Sequence, residues 1–172
     1  MLRCFSHSEL TTLGEALDIA EDRTGNFYKL SQEQWKRHRY DVKTLASLGE
    51  EEISDHAFAL LNRTTESADS GRVPTKRWDL YWICLQDHRI LNALSRDPNL
   101  DLLPLMVYTF THELVHIVRF GRFQQRFERK DKEEEESIVH HRTYEILKGV
   151  SLPALDYVLD RYREHRVCEV NF

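Results

Sequence analysis

A chain of 172 residues has room for one full hydrophobic core and not for two. Its 41% hydrophobic and 31% charged residues, with only six Gly and four Pro, exclude a disordered or fibrous chain. A net charge of −5 argues against nucleic acid or an anionic membrane as partner, and the longest apolar stretch, Leu102 to Phe110, is too short to span a bilayer.

In chain order, Leu10, Leu13, Ala16, Leu17 and Ala20 recur at helical spacing and predict a first helix, starting near Thr11 or Thr12 and ending before Gly25. Ser31 to Gln34 reads as a capping box, so a second helix is expected between Ser31 and Leu48. A third is expected from Glu51 to Asn62, with Ile53, Ala57, Leu60 and Leu61 on one face. Thr64 to Lys76 reads as a loop, broken by Gly71 and Pro74. Arg77 to Gln86 is short and apolar on both alternating faces, the pattern of a strand covered on both sides. After it, Ile90 to Leu94 fits either a second strand or a helical turn.

Asp101 with Pro104 in the first turn marks the start of a helix that runs to Phe120 and stops at Gly121. A charged stretch, Arg122 to Lys130, follows and reads as a solvated flap that includes Arg119. Asp131 to Glu134 opens another helix, to Lys148, and Ser151 to Arg166 forms the last. The fold class is therefore α+β: a single, mostly helical domain over residues 1–172 with a small β-sheet or hairpin. Its helical N-terminal part is 1–63, and 77–149 carries the strand and the two helices that matter chemically. Three widely spaced cysteines, Cys4, Cys84 and Cys168, form no paired motif, and the first residues hold no apolar run of secretory length. Both point to a reducing, cytoplasmic setting.

The chemistry is concentrated in His112-Glu113-Leu114-Val115-His116. On a helix, His112 and His116 lie about 40° apart, so both imidazoles point the same way and can take two corners of a tetrahedral zinc site. Glu113, about 100° from His112 and about 60° from His116, can serve as general base toward a water held there. Phe110, Leu114, Ile117 and Val118 cluster opposite the His pair, which predicts a helix that packs on one side and faces a site on the other.

These residues resemble the active-site helix of zincin metallopeptidases. No Gly-x-x-His follows His116, which sets aside the metzincin pattern. The arrangement is similar to that of gluzincins, in which a Glu on the next helix is the third ligand. Glu136 stands 20 residues beyond His116, the separation found in thermolysin-like peptidases. His140, one turn on, stands where that group often carries an Asp bracing a zinc-bound His. The resemblance covers Pro104 to Gly149. It implies a zincin-like fold, a Zn²⁺ ion held by His112, His116 and Glu136, Glu113 as general base, and a peptide or protein substrate. Glu135 and His140 are alternatives to Glu136 as third ligand. The resemblance further implies an edge strand that binds substrate, here Leu80 to Leu85 or its hairpin partner, and a Tyr or His oxyanion donor from among His141, Tyr144, Tyr157 and His165.

A di-iron carboxylate bundle would need a second Glu-x-x-His, and both Glu136 to His140 and Glu52 to His56 are one residue too long. The stronger rival is a catalytically weak or inactive gluzincin-like module that keeps its metal site and regulates or binds another protein. The sequence leaves the oligomeric state open.

Overall fold

The computed structural model describes residues 1–67, 77–122, 132–163 and 168–170, the side chains of 66–67, 77–78 and 168–170 excepted. Among these residues there are six α-helices: α1 (His7–Tyr28), α2 (Gln32–Trp35), α3 (Asp87–Arg96), α4 (Leu102–Gly121), α5 (Lys132–Leu147) and α6 (Leu155–Tyr162). Four strands, β1 (Tyr40–Lys43), β2 (Ala59–Ser67), β3 (Arg77–Leu85) and β4 (Cys168–Val170), form one mixed sheet in the order β1-β3-β2-β4. The expected α+β class with a small sheet is what the chain adopts.

α1 starts earlier and ends later than the spacing predicts. Ser6 accepts from the Glu9 amide and Glu9 reaches back to the Ser6 amide, so two orphan donors are satisfied at the N-terminus. The helix runs through Gly25 to Tyr28 and ends on Lys29 in the left-handed region, φ 55°. Gly25 is therefore no helix stop. It lies under the Trp35 indole, where a Cβ would come within 2.7 Å of Nε1.

The expected helical character of residues 1–63 does not hold beyond α1. The capping box at Ser31 is formed, but it opens only the one-turn α2, and the chain then enters β1. The helix expected over Glu51 to Asn62 is instead one 3₁₀ turn, Glu50–Glu52, followed by a bend into β2. Ala59, Leu60 and Leu61 are buried on both faces of that strand, which local spacing alone reads equally well as a helix face. Ile90 to Leu94 belongs to α3 and not to a second strand. The hairpin partner of β3 is β2, antiparallel from Ala59↔Leu85 to Ser67↔Arg77.

Gln86 and Asp87, between β3 and α3, are fully buried ties. The Asp87 carboxylate accepts from the Phe5 and Leu45 amides, each at 3.0 Å, and so binds the N-terminus and the segment after β1 to the start of α3. The Gln86 side chain accepts from the Ser54 amide and donates to the Glu52 carbonyl, both at 2.8 Å.

β3 is no edge. Tyr81 to Cys84 pairs with β1 in parallel on one side and with β2 on the other, and Ala59 to Leu61 of β2 pairs with both β3 and β4. Neither strand can therefore accept a substrate as an added strand over these residues, and the sheet's edges are β1 and β4.

α4 is the central element. Every residue from Pro104 to Phe120 is buried, with α1, α5 and α6 packed around the helix and the ring of Phe120 stacked on Tyr81 of β3 at 5.7 Å. The expectation of a helix with one packed face and one open face gives way to a helix enclosed on all sides. Its final residue, Gly121, remains helical, and a Cβ there would overlap the His38 imidazole.

Candidate metal centre

Helical periodicity lines up Tyr108, His112, His116 and Phe120 along α4 at four-residue intervals. Its first three members face α5, whose Glu136 and His140 are spaced one turn apart. The two helices bring together the side chains that the motif and its resemblance single out. His116 Nε2 lies 2.9 Å from Glu136 Oε1, and His112 Nε2 lies 3.3 Å from Glu136 Oε2. His140 Nε2 lies 3.8 Å from the same Oε2. The His112 ring is 5.0 Å from that of His116 and 4.6 Å from that of His140.

Glu113 is fully buried beside this cluster. Its Oε1 is 3.7 Å from His112 Nδ1, beyond hydrogen-bond reach, and neither carboxylate oxygen accepts a hydrogen bond from the described residues. A carboxylate in that state is costly unless a positive charge lies close. Solvent meets the cluster mainly at Glu136, whose side chain is 20% exposed, while His112 and His116 are sealed.

The donor set fits a divalent metal ion on two counts. The first is distance: two atoms that each bind a metal at about 2.0–2.1 Å in tetrahedral array stand roughly 3.3 Å apart, close to the spacings around Glu136. One donor atom from each of His112, Glu136 and His140 falls within 4.8 Å of the other two; His116 is not in that group, and its Nε2 is set against the other Glu136 oxygen, Oε1. The second is charge. Two carboxylates, the buried Glu113 and the partly exposed Glu136, face three imidazoles, and a doubly charged cation would neutralise the group. In its absence the field draws in a proton: burial pushes the His112 imidazolium down, but Glu136 and Glu113 outweigh it and hold the pKa up at about 9. Burial likewise raises Glu136, and the His112 and His116 rings override it and hold the carboxyl well below its usual range.

Glu135, an alternative third ligand, points elsewhere. It takes a two-pronged ion pair from Arg119, with Nε at 3.1 Å and Nη2 at 2.8 Å, and both residues are buried. This pair fastens the first turns of α5 to α4 and sets the rotation that aims the next residue, Glu136, at the imidazoles. Arg119 is thus no part of a solvated flap; Arg122 is exposed, and the remaining flap residues lie outside the described ones. Tyr108 is the other member that sequence reasoning missed. Its hydroxyl contacts His140 Nδ1 at 2.7 Å and donates to the Tyr162 carbonyl at 3.2 Å. Both omissions had a legible signal: Tyr108 is four residues before His112, and Arg119 three after His116, on the same helical stripe.

The candidate oxyanion donors do not join the cluster. His141 is exposed and pairs with Glu145 at 3.1 Å, the Tyr157 hydroxyl donates to Asp97 at 2.7 Å, and Tyr144 lies beneath the Arg163 guanidinium. His165 is outside the described residues. No described helix is long and apolar enough to cross a membrane. Comparison with protein-family models, curated proteins and solved structures finds no match to this chain.

Proposed function

We propose that the protein is a zinc-dependent hydrolase of peptide bonds, acting on a peptide or protein substrate in a reducing, cytoplasmic compartment. The observation that carries this reading is the convergence of His112 Nε2, His116 Nε2 and both Glu136 oxygens beside a buried carboxylate, Glu113, that accepts no hydrogen bond from the described residues. His112, His116 and Glu136 would hold the ion. When bound, Zn²⁺ supplies Lewis acidity toward a water molecule and a substrate carbonyl oxygen.

The chain's own residues do the rest. Both imidazoles turn Nε2 toward Glu136, from where they would hold the ion, and their place on one enclosed helix fixes their mutual distance. A Glu113 Oε accepts the proton that leaves the attacking water and later delivers it to the departing amine nitrogen, so the carboxylate ends the cycle as it began. The full burial of Glu113 and His112 on the enclosed helix keeps bulk water from competing for that proton.

A second reading has support in the depth of the cluster. With His112 and Glu113 fully buried, bulky substrates have little room to approach, which favours a module that keeps its ion and binds or regulates another protein. Glu113→Gln separates the two. Zinc-loaded wild type is expected to cleave members of a peptide library, and the variant to keep stoichiometric zinc while losing at least about 100-fold in rate. A variant with full activity removes Glu113 from this role, and a wild type that holds zinc but cleaves nothing favours the module.

A further inference from the structure

His140 is one imidazole more than the peptidase arrangement uses, and its hydrogen bonding defines its state. The Tyr108 hydroxyl has a single proton and donates it to the Tyr162 carbonyl, which can only accept. The 2.7 Å contact between that hydroxyl and His140 Nδ1 is therefore one in which the imidazole donates. In neutral His140 the proton sits on Nδ1, and Nε2 carries the lone pair.

That nitrogen faces Glu136 Oε2 at 3.8 Å. Two acceptors at this separation gain nothing from each other, and the distance is too long for a hydrogen bond in any case. The bracing role that the resemblance implies is thus unsuited to neutral His140. The geometry is that of two ligands on one cation, for which bonds of about 2.1 Å allow separations up to roughly 4.2 Å. His140 is buried on α5, one turn beyond Glu136, with its ring 4.6 Å from that of His112.

We propose that His140 Nε2 is a fourth protein ligand, joining His112, His116 and Glu136, and that Tyr108 is its positioning residue, fixing the tautomer through the Tyr162 carbonyl. The inference rests on the metal reading given above and deepens it. Four protein donors fill a tetrahedral site, so an ion that also takes up water or substrate must expand to five ligands or release one. His140 stands one turn from Glu136, where solvent reaches the cluster, and is the ligand placed to control that opening.

The test uses the full chain, freed of metal and titrated with Zn²⁺ and with Co²⁺. One ion is expected per molecule, and long-range proton–nitrogen spectra of the zinc form should show metal-bound Nε2 and protonated Nδ1 in His112, His116 and His140 alike. His140→Gln should weaken binding by at least about 100-fold and alter the visible spectrum of bound Co²⁺, as loss of a ligand requires, with circular dichroism unchanged. Tyr108→Phe should weaken binding about 10-fold and let His140 in the metal-free protein sample both tautomers, where wild type holds the proton on Nδ1. Should His140→Gln match wild type in affinity and Co²⁺ spectrum while His112→Ala abolishes binding, the fourth ligand is refuted and the three-ligand site stands. A wild type that takes up neither ion overturns both readings.

Discussion

Arg119 and Glu135 show how much of the candidate centre depends on residues outside the donor cluster. Their ion pair is buried on both sides, so its removal is costly in a way that an exposed pair is not. Arg119→Ala would leave the Glu135 carboxylate buried without its guanidinium and is expected to cost about 3–5 kcal/mol in denaturant unfolding. Replacing both residues by Leu should cost far less. A loss near the roughly 1 kcal/mol of a surface pair would show that the pair is dispensable. The cluster itself predicts a pH profile for the metal-free protein. The His112 pKa is raised from 6.5 to about 9, so the folded chain holds that proton more tightly than the unfolded chain. Its stabilisation is complete below pH 6.5 and fades as pH rises through about 9. Glu136 is depressed from 4.5, and its contribution is present above pH 4.5 and lost as pH falls. Chelator-treated protein should thus be most stable in between, weaken on the alkaline side, and lose both flanks of the profile in Glu136→Gln. Urea unfolding at stepped pH checks this, and equal stability at pH 6 and pH 10 would contradict it.

At the scale of elements, packing overrides local preference most clearly at Gly25. In an open helix Ala is favoured over Gly by about 1 kcal/mol. Here the added methyl would meet the Trp35 indole at 2.7 Å, so Gly25→Ala is expected to destabilise by about 1–3 kcal/mol. A higher melting temperature would mean that Trp35 swings aside without cost. The same tension decides which elements were legible. α4 and α5 were readable nearly to the residue, because their start signals and 3.6-residue periodicity are local properties. β1 and β2 were not: Tyr40 to Lys43 is a strand because β3 lies beside it, and Ala59 to Leu61 because β3 and β4 flank it. No window of neighbouring residues contains that information. His112, Glu113 and His116 were legible as a helical motif, and Glu136 through spacing and resemblance together. The part played by His140 was not, because it depends on Tyr108 and Tyr162, which are 32 and 22 residues away in the sequence.

In the whole molecule, the donor atoms divide unevenly between two supports. His112, Glu113 and His116 stand on α4, the most enclosed helix, while Glu136 and His140 stand on α5, whose opening residues Lys132, Glu133 and Glu134 face solvent. Backbone openings in proteins start where burial is least. An ion bound as proposed would thus rest on one enclosed wall and one that meets solvent at its start, so exchange would begin on the α5 side, against the hold of the Arg119–Glu135 tie, while the interior stays intact.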